Sequence, residues 1–264
     1  MTMSVATSGV PQGSEGAMAD EVAQPIRLRR EGPVGHIVMA RPEKRNSLSA
    51  VMRNLMCGYL RELDRDPDID VIVISGDGPA FSAGGDLREH GPDAMTFEQA
   101  WTMLASGVDL VESIEAISKI VVARVQGPAH AGGLLLSLCA DITVAASTSR
   151  FRCPELLRAR PDPFIPFRLV SKVGREKAAD LMYTAREIDG IEAERIGLVA
   201  RCVDEEQLDA ELDSLIADVL RTDRTSRAVW KRMLRGARPS ANAWEFADFF
   251  TSGQTAERSY NFHR

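Results

Sequence analysis

From Gly35 onward, short runs of β-branched residues alternate with longer stretches in which apolar positions recur every three or four residues. The short runs read as buried strands, and the longer stretches as helices that press one face onto a core. The pattern predicts strands over 36–39, 71–75, 120–125, 142–145 and 199–203. It predicts a helix over 49–65, where Val51, Leu55, Tyr59 and Leu63 repeat every four residues and Ser47 or Ser49 can cap the first turn. A second long helix is expected from Thr96 to about Ile117. Beyond Val203 the pattern is helical only, over 205–220, 226–234 and near 244–250. Leu208, Leu212, Leu215, Ile216 and Val219 form an apolar stripe too large to leave in solvent, so it must pack on something. The alternation makes the chain α/β, which by itself equally permits a doubly wound nucleotide-binding sheet.

Composition narrows the class without naming a function. At 264 residues, 44% hydrophobic and 27% charged, the chain can bury one large core with an appendage. Acidic residues outnumber basic ones by 38 to 32 and no long basic run occurs, which disfavours nucleic acid as a partner. No 18-residue apolar stretch exists, so no membrane span is expected. The cysteines at 57, 139, 153 and 202 lack C-x-x-C spacing and suit a reducing, cytoplasmic location. Residues 1–24, rich in Ser, Gly, Ala, Thr and Pro, read as a disordered tail before a core over 25–203 and a helical region over 204–264.

Two glycine turns carry the chemistry. Phe81-Ser82-Ala83-Gly84-Gly85-Asp86-Leu87 and Gln126-Gly127-Pro128-Ala129-His130-Ala131-Gly132-Gly133 each follow an apolar run, so two strand ends can present bare backbone N–H groups to one oxyanion. With these turns go Gly35-His36-Ile37-Val38-Met39-Ala40-Arg41-Pro42-Glu43-Lys44-Arg45-Asn46-Ser47-Leu48, Asp70-Val71-Ile72-Val73-Ile74-Ser75-Gly76, Cys139-Ala140-Asp141-Ile142-Thr143-Val144-Ala145-Ala146 and Ala193-Glu194-Arg195-Ile196-Gly197-Leu198-Val199. In this order, from about Ile26 to about Leu234, the segments resemble the enoyl-CoA hydratase/isomerase (crotonase) superfamily.

The resemblance implies a spiral of repeated ββα units with a C-terminal helical oligomerisation region, and a homotrimer or hexamer. It implies an acyl-CoA thioester as substrate, with coenzyme A as part of that substrate and no separate cofactor. Gly85 and Gly132 match the positions whose amides hold the thioester oxygen as it becomes an enolate. Lys44 and Arg45 are placed where CoA phosphates are met, and Ala83, Asp86 and Leu87 beside the substrate. Hydratases of the family use two glutamates; the first position is Leu135 here, which cannot move a proton, and the second is Glu155. A single carboxylate beside an oxyanion hole suits enoyl-CoA double-bond isomerisation, or an atypical hydration.

The segment after Glu155 departs from the family. Five residues rather than six precede Pro161, and Asp162-Pro163-Phe164-Ile165-Pro166 replaces a glycine-rich turn, which implies a rebuilt acyl pocket and bears on where Glu155 points. Asp162 follows the proline as an aspartate does in β-hydroxyacyl-CoA hydrolases of the family, so thioester hydrolysis by Glu155 and Asp162 is the alternative chemistry. Its bland reading is a turn residue between prolines. A noncatalytic acyl-CoA-binding member is the third reading. His130, two residues before Gly132, is a further candidate acid or base. His36 and His90 have no ligand spacing, and no metal site is expected.

Overall fold

The computed structural model describes residues 24–86, 89 and 96–236. The strands are β1 (Ile26–Glu31), β2 (Val34–Met39), β3 (Val71–Gly76), β4 (Ile120–Val125), β5 (Pro128–His130), β6 (Ile142–Ala146), β7 (Arg150–Arg152), β8 (Ile188–Asp189) and β9 (Arg201–Val203). The helices are α1 (Ala50–Arg65), α2 (Phe97–Ala116), α3 (Gly132–Cys139), α4 (Ile165–Thr184), α5 (Gly190–Arg195), α6 (Leu208–Leu220) and α7 (Arg224–Leu234).

Six strands form one sheet in the order β1-β2-β3-β4-β6-β9, parallel throughout except for the antiparallel β1–β2 pair. A smaller sheet, β5-β7-β8, lies beyond it. From β4 onward the chain gives one strand to the large sheet, the next to the small one, and then a helix: β4, β5, α3, followed by β6, β7, α4. This is the repeated ββα spiral. Each crossing between sheets is a turn; the second glycine stretch begins in the crossing from β4 to β5 and ends at the head of α3, and the first follows β3.

Both faces of the large sheet are covered, which is why its strands read as unbroken β-branched runs. Along β3, Ile72 and Ile74 join the core that also buries Met52, Met56 and Leu60 of α1. Val71 and Val73 point the other way and pack, with Val122 and Val144, against Leu208, Leu212, Leu215 and Ile216 of α6. The α6 stripe is therefore buried within its own chain, and it offers no unspent surface for a second copy. Burying these four side chains contributes on the order of 6–12 kcal/mol before entropy is counted.

Local signals set the helix starts. Ser49 accepts from the Met52 amide at the head of α1, and Thr96 forms a reciprocal capping box with Gln99 at the head of α2. The strand expected over 199–203 begins only at Arg201, because Val199 and Ala200 complete the turn after α5. The edge strand β1 and the helices α4 and α5 were not anticipated from the pattern. The region near 244–250, the first 23 residues and Leu87 lie outside the described residues. Among the described residues, no helix is long and apolar enough to cross a membrane.

Candidate active site

The first glycine turn is held from below by a buried asparagine. Asn46, at φ +52°, donates through Nδ2 to the carbonyls of Asp77 and Ala80 at 2.9 and 2.8 Å, and its Oδ1 accepts the Arg41 amide at 2.9 Å. Ser82 Oγ donates to the Asn46 carbonyl at 2.8 Å and accepts the Gly84 amide at 3.2 Å. Leu48 then forms a parallel bridge across Gly85: its amide donates to Gly84 O at 2.7 Å, and the Asp86 amide donates to Leu48 O at 3.1 Å. Because alternate amides of an extended segment point to opposite sides, the bridge leaves the Gly85 N–H facing away from Leu48's backbone.

The second turn is locked to the first through Ser82, whose amide donates to Pro128 O and whose carbonyl accepts the His130 amide, both at 3.0 Å. At its end Ala131 sits at φ +52°, ψ −119°, a sparsely populated region for a residue with a Cβ. This turn of the backbone starts α3 at Gly132 without a side-chain cap, so the first amides of the helix remain open. Neither Gly85 N–H nor Gly132 N–H donates to any of the described residues. The two turns nearly touch: a Cβ on Gly84 would lie 2.6 Å from Ala131 Cβ, and one on Gly132 would lie 3.5 Å from Gly85 N. Two open amides thus stand side by side at the positive end of a helix.

They open into a mostly apolar cavity of about 210 Å³. Its walls are Met103, Leu104, Gly107, Leu110, Val111 and Ile114 of α2, Leu135, Leu136 and Cys139 of α3, and Phe164. Glu155 and Asp162 also face it, as do Arg53, Arg158 and Arg160. A larger, polar depression of about 710 Å³ beside β1, β3 and α6 holds His36 and, of the two glycine turns, only Gln126.

Glu155 opens a 3₁₀ turn, Glu155–Arg158, after Pro154. Its Oε2 is buried and without a hydrogen-bond partner among the described residues. Burial pushes its carboxyl above the ordinary glutamate range, opposed by hydrogen bonding from the Cys153 thiol and its own amide, while Asp162 pushes it further up. A carboxyl whose neutral form is favoured by burial can both take and return a proton. The shortened spacing to Pro161 has not turned Glu155 out of the cavity.

Asp162 has a visible structural task. Its Oδ1 accepts the amides of Phe164 and Ile165 at 2.7 and 2.8 Å, starting α4 and aiming Phe164 at the cavity and at Gly107. Leu135, also buried, presents only hydrocarbon to the same space. Burial raises the Cys139 thiol to about 12, which makes it wall rather than nucleophile.

The structure thus brings Gly85, Gly132, Leu135, Glu155 and Asp162 together. It does not bring His130, Lys44, Arg45, Ala83 or Asp86 to the cavity wall. His130 pairs with Glu187 at 3.0 Å, with burial holding its imidazole below the usual range, so it is not the acid or base of this cavity. Ala83's amide is spent on Arg45 O at 2.9 Å, and Asp86 pairs with Arg41 at 3.0 Å. These residues shape the loops around the turn. Sequence reasoning missed Asn46, Ser82 and the Ala131 conformation; a polar residue followed by small ones near a glycine turn was the only signal available. It also missed Arg53, whose place in an amphipathic helix looks like any solvated position.

The comparisons with known proteins agree with this geometry. A family model for enoyl-CoA hydratase/isomerase matches residues 29–248. A probable enoyl-CoA hydratase of Mycobacterium bovis is 37% identical over 184 residues, covering 69% of this chain and 70% of its own. A candidate enoyl-CoA hydratase of Thermus thermophilus is 31% identical over 205 residues, covering 77% of this chain and 81% of its own. Among solved structures, an enoyl-CoA hydratase/isomerase family protein from Hyphomonas neptunium superposes with a TM-score of 0.84 at 27% identity, covering 91% of this chain and 96% of that one. A candidate enoyl-CoA hydratase from Thermobifida fusca, solved with acetoacetyl-CoA, gives 0.76 at 26% identity over 88% of this chain and 95% of that one. The chain, with its ββα spiral and paired open amides, therefore belongs to the enoyl-CoA hydratase/isomerase family.

Proposed function

We propose that this family member moves the double bond of an enoyl-CoA with one carboxylate, Glu155, and the amides of Gly85 and Gly132. The observation that carries the reading is the desolvated Glu155 carboxyl, its Oε2 without a partner among the described residues, on the same cavity as both open amides and as a leucine where a second acid would stand. In a 3-enoyl-CoA, the Glu155 carboxylate takes a proton from C2, and the electron pair flows toward the thioester oxygen. The two amides hold that oxygen as a dienolate, with a gain of about 3 kcal/mol per donor. Glu155 then returns the same proton to C4, and the carbonyl re-forms as a 2-enoyl thioester.

Hydration needs a water to be activated while a proton is delivered to the α-carbon, and Leu135 can do neither. Hydrolysis would require Asp162 to manage water, but its Oδ1 is already engaged by two backbone amides. The acetoacetyl-CoA complex of the Thermobifida fusca relative supports an acyl-CoA as the ligand. The homotrimer or hexamer remains part of this reading, resting now on apolar side chains that α2 leaves in solvent, Phe97 and Trp101, stacked at 6.3 Å.

The test supplies trans-3-hexenoyl-CoA and crotonyl-CoA to the same preparation. Conversion of the first to the conjugated 2-enoyl thioester, with slow hydration of the second, is the expected result. Brisk hydration, or release of free CoA from a 3-hydroxyacyl-CoA, would replace isomerisation with one of the other two chemistries. Saturable acyl-CoA binding without any turnover would make the chain a binding protein.

A further inference from the structure

The cavity that faces the open amides is apolar except for its charges, and those charges do not balance. Three guanidiniums, Arg53, Arg158 and Arg160, face two carboxyls, Glu155 and Asp162. Arg158 and Arg160 are exposed and screened by solvent. Arg53 is different: its side chain is only 12% exposed, at the end of the first turn of α1, on the cavity wall that α2 completes.

Its bonds fix its position without neutralising it. Nε donates to Ser106 Oγ at 2.6 Å and Nη1 donates to Leu48 O at 3.1 Å, both neutral acceptors. Among the described residues its carboxylate partner is Glu89, 3.9 Å from Nη2, and both Glu89 oxygens accept the Ala50 amide at 3.0 Å. A guanidinium carries five N–H donors in a fork that suits a carboxylate in two-point contact. Burial in this wall disfavours the charged form of Arg53, and the Glu89 carboxylate opposes that only in part.

The position is also specific. Leu48 is the residue whose backbone brackets Gly85, so Arg53 is tied by one hydrogen bond to the rim of the oxyanion pair. Arg53 and α2 line the same cavity as Gly85 and Gly132, so an acyl chain whose carbonyl sits on the two amides would share a wall with the guanidinium.

We propose that Arg53 is a specificity residue that accepts an anionic or strongly accepting group on the acyl chain, so that the preferred substrates are CoA thioesters of short dicarboxylic acids. The inference rests on the acyl-CoA reading of the cavity and adds the chemical class of the acyl group. A plain alkyl chain would leave the open Arg53 donors facing hydrocarbon, whereas a terminal carboxylate would give them the close two-point contact that Glu89, at 3.9 Å, does not. Charge-assisted pairs of this kind are the stronger hydrogen bonds of proteins, and one two-point contact corresponds to about a 10-fold to 100-fold preference in affinity.

Calorimetric titration of the full chain with succinyl-, glutaryl- and adipoyl-CoA, each against its terminal methyl ester, tests this without any variant. The expected result is a free acid bound at least ten times more tightly than its ester for one chain length, and a ratio that collapses toward one in Arg53→Met. Arg53→Lys, which keeps the charge but not the fork, should retain part of it. Equal affinity for every acid and ester overturns the inference while leaving acyl-CoA binding intact. Failure to bind any acyl-CoA overturns the acyl-CoA reading itself, and this inference with it. Free CoA and dephospho-CoA form the control arm: if Arg53→Met weakens CoA as much as the dicarboxylyl thioester, the guanidinium reads a CoA phosphate and the inference fails.

Discussion

Replacing Gly132 by alanine probes the oxyanion pair with the smallest available change. The backbone at 132 does not use the left-handed region, so alanine is conformationally allowed there and, in the first turn of α3, gains up to about 1 kcal/mol of helix preference. The new Cβ, however, would lie 3.2 Å from Leu48 Cδ1, 3.5 Å from Gly84 Cα and 3.5 Å from Gly85 N. Contact at 3.2 Å forces a shift of a few tenths of an ångström, and the parts free to move are Leu48 and the head of α3. Leu48 can yield at its side-chain tip, but the new methyl stays 3.5 Å from Gly85 N and crowds the space that the enolate oxygen would fill. Complete loss of one donor costs about 100-fold to 1,000-fold in kcat, so a partial displacement should cost about 10-fold to 100-fold. Proline is a poorer probe, because the residue before a proline prefers ψ near +120° to +160° and Ala131 holds ψ −119°. The assay is kcat on trans-3-hexenoyl-CoA beside a thermal melt. A folded Gly132→Ala protein with unchanged Tm and wild-type kcat would refute the placement of the enolate oxygen.

Asn46→Ala removes the acceptor for Arg41 N and the donor for the Asp77 and Ala80 carbonyls, so it should cost about 3 kcal/mol and lower Tm by about 6–12 °C; calorimetry checks it. The raised carboxyl of Glu155 favours the fold fully below its unfolded value near 4.5, and that contribution is lost as pH rises through the folded value. Glu155→Gln should therefore gain Tm over wild type at pH 7 and not at pH 4, which paired melts can read. Light scattering should report a trimer or hexamer, and a monomer at micromolar concentration would remove that part of the reading.

Much of the scaffold was legible because periodicity reports burial. The β-branched run at 71–75 is hydrophobic at every position since both sheet faces are covered, and the four-residue spacing in α1 matches its buried Met52, Met56, Leu60 and Leu63 only in part, because Val51, Leu55 and Tyr59 fall beside that stripe. The α6 stripe was visible, but not its destination: a sequence shows that a face must be covered, not whether the cover is the same chain. β5, β7 and β8 span three residues or fewer and leave no period to detect. At the site, Gly85, Gly132 and Glu155 followed from resemblance, whereas the Asn46 bracket, the strained Ala131 and buried Arg53 depend on tertiary placement. His130 shows the reverse error, since adjacency along the chain put it near Gly132 while its side chain turns to Glu187.

The central claim is that Glu155 carries the proton at a carbon whose enolate is held by Gly85 and Gly132. The most direct measurement is the rate at which the α-protons of a saturated acyl-CoA, such as butyryl-CoA, exchange with deuterium in heavy water, followed by proton resonance on wild type and Glu155→Gln. Exchange needs no double bond and no added water, only the enolate and its base. The account predicts clear exchange by wild type and a loss of about 100-fold to 10,000-fold in the variant at saturating acyl-CoA. Exchange at the wild-type rate in a folded Glu155→Gln protein would contradict it.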